Sequence, residues 1–441
     1  MELDTTAGSL NNRRVLKIAI PVVLSNATVP ILGAVDTAVV GQLGAAAPIG
    51  AVGVGAVILS SVYWIFGFLR MGTTGLAAQA AGAGNAEELV ALLSRALLIA
   101  TGAGAILIAG QAAIFAAAFA IAPATAEVEG LARTYMAIRI WSAPAAIALY
   151  GITGWLIAQE RTTAVLLLQL VMNGANILLS FWLGLGLDWG VAGVATATII
   201  AEWAGVALGL WFCRAAFGGS AWRDPRRVLD GTRLRRMAVV NGDILIRSVL
   251  LQGIVVSFMF LGAGFGTLAL AANQVLFQFL HITAHALDGF AFAVEALVGR
   301  FFGARDRAGL HRAVRLSSVW ALGTALLLAA GFALFGPSLI DLMATAPEVR
   351  AAARSYLPWL LIAPLLGVAP FILDGIFIGA TRTRDMRNMM LLSVGIYALA
   401  VLAFTPVLGN HGLWAALMVS FVARAVSLAA RYPALERAAL R

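Results

Sequence analysis

Gly82–Leu89 reads GAGNAEEL, and Gly303–Leu310, which coincides with it when the numbering is shifted by 221, reads GARDRAGL. Each is a small, polar break between two long apolar runs. The same shift carries Gly154–Thr162 (GWLIAQERT) onto Gly375–Thr383 (GIFIGATRT), and a shift of 222 carries Gly190 onto Gly412. Self-similarity at a fixed spacing means a duplicated unit. Working outward, apolar segments fall at 15–40, 48–80, 91–121, 130–157, 164–186 and 190–217. A second set falls at 237–261, 268–301, 312–343, 350–379, 387–408 and 411–435. Six segments per copy is an even number, so both copies have the same orientation in a membrane. Parallel repeats of this kind are typical of transporters that rock two lobes about a site between them. The expected fold is an all-α integral membrane protein with twelve transmembrane helices in two six-helix lobes. Residues 1–217 form the first lobe, 218–236 a cytoplasmic linker and 237–441 the second lobe.

Composition agrees. Of 441 residues, 61% are hydrophobic and only 12% charged, a profile outside the soluble globular range. The net charge of +9 is not a nucleic-acid footprint, because its placement follows the membrane. Of 30 Lys and Arg, 23 lie at the termini or in alternate loops, which puts both termini and the linker in the cytoplasm. The opening NNRRVLKIAI looks like a twin-arginine export signal, but the apolar run that follows is too long and is succeeded by further spans. One cysteine, Cys213, rules out an internal disulfide framework and a Cys-based metal cluster. No metal site and no cofactor is expected.

Ionisable residues within these runs mark function, since a charge at mid-membrane costs about 2.5–3.5 kcal/mol on insertion scales. Asp36, in PVVLSNATVPILGAVDTAVVGQLG (21–44), is the only acid deep in the first five segments. Ser25, Val29 and Gly33 share its helical face. The fifth segment carries Gln169, Asn173, Asn176 and Ser180 at spacings of 4, 3 and 4: polar, uncharged partners for Asp36, or interhelical packing bonds. Thr198 and Glu202 share a face of the sixth, while Arg70 and Arg139 either neutralise an acid or reach an interface.

In the second half, Gln274, Gln278, His281, His285, Asp288, Phe292 and Glu295 form one helical stripe. It reads either as a hydrated, protonatable face or as a buried hydrogen-bond network. Asp243 and Arg247 are spaced for an ion pair. Asp374 has no cation within a turn of its own helix, and Arg247 is the obvious partner from elsewhere. In that case Asp243, Arg247, Asp374 and the stripe form one polar cluster. At the 221 shift Asp36 falls on Ser257, Asp288 on Gly67, Glu295 on Thr74 and Asp374 on Thr153. The scaffold repeats and the ionisable residues do not.

VDTAVVGQLG (35–44), FGFLRMGTTGLAAQA (66–80), YMAIR (135–139), DILIRSVLLQ (243–252), DGFAFAVEALVG (288–299) and DGIFIGATRTRDMRN (374–388) together resemble the multidrug and toxic compound extrusion (MATE) family, and within it the DinF-type branch. The resemblance spans nearly the whole chain. It implies two lobes in a V and export of organic cations or amphipathic compounds in exchange for H+ or Na+. By the resemblance, Asp36 takes the coupling proton, Pro21 bends the first helix, and Tyr135, Asn176 and Thr198 surround the acid. The family pattern NIxxD is broken here, NILLS ending in Ser180, which disfavours Na+ in the first lobe. Asp374 matches a family cation position, so Na+ in the second lobe stays open.

The expected protein is a proton-coupled exporter of the bacterial inner membrane, monomeric, with small amphipathic substrates and the bilayer as its partners. Two readings stand beside it: a flippase for lipid-linked precursors, kept open by Arg70, Arg139 and Arg247, and a Na+-coupled exporter using the second-lobe acids. An intramembrane enzyme would need a paired metal site, a GxSxG elbow or paired catalytic aspartates, and none is present.

Overall fold

In the computed structural model of the chain, residues 10–42, 46–121 and 123–439 are described, except for the side chains of 29–37. The membrane helices are α1 (Asn12–Gly41), α2 (Ala46–Gly82), α3 (Ala86–Ala109), α4 (Ala126–Ala158), α5 (Thr162–Gly186) and α6 (Gly190–Phe212). The second half gives α7 (Gly231–Ala263), α8 (Thr267–Gly303), α9 (Arg307–Met343), α10 (Pro347–Gly379), α11 (Thr383–Leu408) and α12 (Asn410–Ala438). A bilayer core needs about 20 helical residues. Among the described residues eleven of these helices are long and apolar enough to cross it, and α1, with 30 residues, has the length to do so. Among the described residues no strand occurs.

The duplication is visible in the backbone. Shifting the numbering by 221 carries the first residues of α2, α3, α4 and α5 onto those of α8, α9, α10 and α11. Their turns repeat as well. Gly84 (φ 69°) recurs as Arg305 (φ 57°), and Glu160 (φ 60°) as Thr381 (φ 50°). Three of these four are not glycine, and the left-handed conformation costs such residues roughly 1–2 kcal/mol. Turn geometry is thus held even where the residue has changed. Each turn feeds a matched N-cap: Asn85 Oδ1 accepts from the Glu88 amide at 3.0 Å, and Asp306 Oδ1 from the Gly309 amide at 2.9 Å. These bonds satisfy donors that a helix start leaves open.

Packing repeats too. In the first half α2 and α3 lie on α4, and α5 on α6; in the second, α8 and α9 lie on α10, and α11 on α12. The crossings are set by glycine. A Cβ on Gly154 would strike the Arg70 carbonyl oxygen, and one on Gly375 the Ala291 carbonyl oxygen, the equivalent pair. A Cβ on Gly82 would overlap the Arg300 carbonyl, and one on Gly303 the Gln79 carbonyl, so the two copies of the opening motif meet reciprocally. Gln79 then donates from Nε2 to the Gly379 carbonyl (2.9 Å) and to Thr381 Oγ1 (3.0 Å), bracing the strained turn.

Three details depart from the sequence expectations. The segment expected at 91–121 breaks at Gly110, which caps α3, and continues as a separate short helix, Gln111–Ile121. Both α2 and α4 tighten into 3-10 turns, at Ile65–Gly67 and Ile140–Ser142. In α4, Pro144 just beyond the turn has no amide hydrogen for the regular ladder. The linker expected at 218–236 is shorter, because α7 already begins at Gly231. It is also anchored: Arg95, only 1% exposed, donates to the Val228 and Arg227 carbonyls at 3.0 and 2.7 Å. Glu88 holds both Arg95 and Arg233.

The chain divides into two compact units: Leu24–Ala77 with Asn85–Met237, and Met1–Val23 with Ala78–Gly84 and Ala238–Arg441. The boundary inside α1 falls just after Pro21. The helix continues through Pro21, although a proline cannot donate the helical hydrogen bond. The start of α1 lies on α8, where a Cβ on Gly289 would meet Val23 and the Ala19 carbonyl.

Candidate functional site

Two sets of polar side chains are buried in the membrane helices, one in each unit. In the first, α1, α5 and α6 are stitched together by neutral groups. Asn173 Nδ2 donates to Thr28 Oγ1 at 2.8 Å, and Thr28 in turn donates to the Ser25 carbonyl at 2.7 Å. Asn176 Nδ2 donates to Thr198 Oγ1 at 3.0 Å, and Ser180 Oγ to Asn176 Oδ1 at 3.4 Å. Asn173, Asn176, Ser180 and Thr198 are all buried, while Gln169 is half-buried with its Oε1 lacking a hydrogen-bond partner among the described residues. Asp36 falls among residues 29–37, whose side chains lie outside the described ones.

Ser180 opens a local change of helix. From Ser180 to Gly186, α5 widens into a π turn. Such turns aim backbone groups off the regular ladder and often mark functional positions. The crossing with α6 is close there, since a Cβ on Gly193 would meet the Leu183 carbonyl at 2.6 Å.

Tyr135 is engaged within its own helix. Its hydroxyl accepts from Arg139 Nη1 at 3.0 Å, and Arg139 Nη2 reaches Glu202 Oε1 at 3.2 Å. The Tyr63 hydroxyl and Ser142 Oγ both donate to the Arg139 carbonyl. Arg139 thus neutralises an acid rather than reaching an interface. The i,i+4 spacing of Thr198 and Glu202 puts them on one face, but nothing local in the sequence signals that Glu202 of α6 meets an arginine of α4.

The second set is ionic. Asp374, on α10, is 7% exposed and is engaged at one oxygen, Oδ2, by two guanidinium groups. One is Arg247 of α7; the other is Arg424 of α12, 2.6 Å away and 4% exposed. The expected Asp374–Arg247 contact is present, but the spacing argument for an Asp243–Arg247 pair is not met. Asp243 accepts instead from Arg387 Nη1 at 2.6 Å and from Thr383 Oγ1 at 3.1 Å. Both are on α11, which outcompetes a same-helix partner. The expected single cluster therefore resolves into two ion-paired groups.

The α8 stripe is graded along the helix. Gln274, Gln278 and His281 are exposed, His285 and Asp288 half-buried, and Glu295 only 1% exposed. At its exposed end the buried polar residue is one position earlier: Asn273, paired with the Asn410 amide at 2.9 and 3.0 Å and accepting from Trp414 Nε1. A cavity of about 260 Å3 lies between α7, α8, α10 and α12, and of the stripe only His281 lines it. At the repeat equivalent of Asp36, Ser257 donates to the Tyr397 hydroxyl at 3.3 Å, a neutral contact.

Comparison with known proteins places this geometry. The MatE family model matches residues 21–182 and again 244–404, once in each half. DNA damage-inducible protein F of Escherichia coli (strain K12) is 41% identical over 422 residues, covering 94% of this chain and 90% of that protein. A probable multidrug resistance protein NorM of Synechococcus is 27% identical over 94% of this chain and 91% of that one. The crystal structure of the Vibrio cholerae MATE transporter VcmN in the bent form superposes with a TM-score of 0.85, covering 97% of each chain at 21% identity. A match repeated in both halves, with a 41% identical relative along nearly the full length, means that this chain belongs to the MatE family of membrane transporters, which are not enzymes.

Proposed function

We propose that the chain exports small amphipathic compounds, organic cations among them, across the bacterial inner membrane in exchange for H+. Asp36 is the coupling carboxyl, both termini are cytoplasmic, and the working unit is a monomer. The names of relatives, a DNA damage-inducible protein and probable multidrug resistance proteins, point toward export of toxic compounds. The observation that carries the choice of coupling site is the state of the competing acids. Asp374 is held by Arg247 and Arg424, and Asp243 by Arg387. A carboxylate already bound by guanidinium is a poor proton carrier, since protonation must first break a charge-assisted bond. A Na+ ion at Asp374 Oδ2 would face two cations, which weighs against the sodium-coupled reading. The groups joining α1, α5 and α6 are neutral.

In this mechanism proton and substrate compete for one carboxyl. Ionised Asp36 attracts a cationic group; once protonated from the outside it no longer does, and the substrate leaves. Each ligand shifts the conformational equilibrium only by its differential affinity for the two states. Pro21, close to the boundary between units, is the weak point at which α1 would bend during the cycle. Arg139 and Arg247 each engage an acid, which leaves them less suited to line the phosphate-binding cavity of a flippase. Replacing Asp36 by Asn should abolish ethidium efflux from cells while expression and folding stay intact. Full efflux by that variant would contradict the proposal.

A further inference from the structure

Arg424 is not needed to neutralise Asp374. Arg247 already does so, and with Arg424 added the three residues carry a formal charge of +1 inside the membrane. Arg424 lies midway along α12 and is 4% exposed, yet it gives Asp374 only one of its five N–H donors. Its Nε is buried without a hydrogen-bond partner among the described residues. An arginine in this position is costly and calls for an acceptor.

The acceptor has a place to sit. Arg424 lines the cavity between α7, α8, α10 and α12, and among the described residues it is the only fixed charge on the wall. No carboxylate lines it among those residues. The walls are mostly apolar, with Phe277, Leu280, Phe371 and Leu417 prominent; Gln252 adds a neutral amide, and His281 is a titratable group also on the wall. The polar side chains Thr283 and Ser420 donate to backbone carbonyls of their own helices, at 2.9 and 2.6 Å, so their oxygens do not supply counter-charge. By comparison with an apolar cavity of about 150 Å3 that holds benzene, this one has room for a body of roughly ten carbon atoms.

We infer that this cavity is a binding site for one amphipathic anion, its compact apolar body held between the four helices and its acidic head on the Arg424 guanidinium. A sulfonate, carboxylate or phosphate offers the oxygens that a guanidinium binds best. A cation is repelled by the surplus charge, and a neutral body of the same shape leaves the Arg424 donors unmet. The site lies wholly within one unit and does not depend on Asp36.

The test is calorimetric titration of the full chain in phosphatidylcholine nanodiscs with naphthalenesulfonate and with the neutral naphthalenesulfonamide. The sulfonate should bind at least about tenfold more tightly. Arg424→Gln leaves Asp374 paired with Arg247 and should erase that preference. Ala284→Phe fills the cavity without touching the charge and should weaken both ligands, which keeps the test decisive if Arg424→Gln fails to fold. Asp36→Asn should bind the sulfonate as the parent does, so failure here is distinct from failure of proton coupling. In nanodiscs containing phosphatidylglycerol, weakened sulfonate binding would identify a membrane lipid as the competing occupant of the same site. Unchanged binding there would identify a soluble amphiphile. Equal affinity for the two ligands in the parent protein, a sulfonate preference undiminished in Arg424→Gln, or undiminished binding of both ligands in Ala284→Phe, would overturn the inference.

Discussion

Asp374 and Thr153 hold the same place in the two halves, one repeat apart, and do different things. Thr153 closes a local bond, its hydroxyl donating to the Leu149 carbonyl at 2.6 Å. Asp374 draws arginines from two other helices into the membrane interior. The glycines that follow them, Gly154 and Gly375, behave alike, each admitting a neighbouring carbonyl where no Cβ would fit. Duplication has kept backbone crossings, turns and caps while leaving the buried chemistry free to diverge. The first half is stitched by neutral amides and hydroxyls where α1, α5 and α6 meet and has the Arg139–Glu202 pair between α4 and α6; the second draws two arginines onto one carboxylate and a third onto another.

The largest effect should come from breaking the ionic side. Replacing Asp374 by Ala takes the carboxylate away from two buried guanidinium groups, a loss on the order of 3–5 kcal/mol. Thermal unfolding of the purified protein should show it, whereas Thr153→Ala should leave the midpoint nearly unchanged. Equal losses at the two positions would mean that the halves had not diverged chemically. The shared scaffold predicts a middle-sized effect. Gly154→Val and Gly375→Val each overfill a helix crossing and should each destabilise by about 1–3 kcal/mol, by similar amounts. A large asymmetry in that assay would break the equivalence of the crossings.

The smallest effect concerns Cys213, which lies just beyond α6 and is buried. Burial pushes its thiol up to about 12, with the nearby Arg161 charge acting in the opposite direction. Because the thiolate is the reactive form, maleimide labelling of the folded protein should stay slow at pH 8, rising only as pH approaches that value. Prompt labelling at pH 8 would mean that this end of the first half opens readily. Labelling in denaturant supplies the reference rate.

The comparison also explains what the sequence could convey. Helix number and the repeat are legible because apolar runs and small-residue breaks are local, linear signals. The Asp374–Arg247 contact is reachable because Asp374 has no cation on its own helix. The Arg424–Asp374 contact is not reachable in this way, because nothing near Arg424 on α12 hints at a partner on α10. The Asp243–Arg247 expectation fails for the opposite reason. An i,i+4 spacing permits a pair but does not compel it when Arg387 and Thr383 of α11 offer two bonds. The α8 stripe is a correct periodicity with an incomplete meaning, since period alone does not separate exposed Gln274 from buried Asn273 beside it. The π turn at Ser180 sits at a close crossing with α6 that the segment itself does not encode.

The central claim is that coupling belongs to Asp36 on the neutral side and not to the arginine-bound acids. Transport in proteoliposomes under separately imposed H+ and Na+ gradients, for the parent chain and Asp36→Asn, tests it most directly. The account predicts that an H+ gradient alone drives ethidium transport in the parent, that a Na+ gradient alone does not, and that Asp36→Asn loses the H+ response. Na+-driven transport by the parent, or an H+ response surviving in Asp36→Asn, would contradict it.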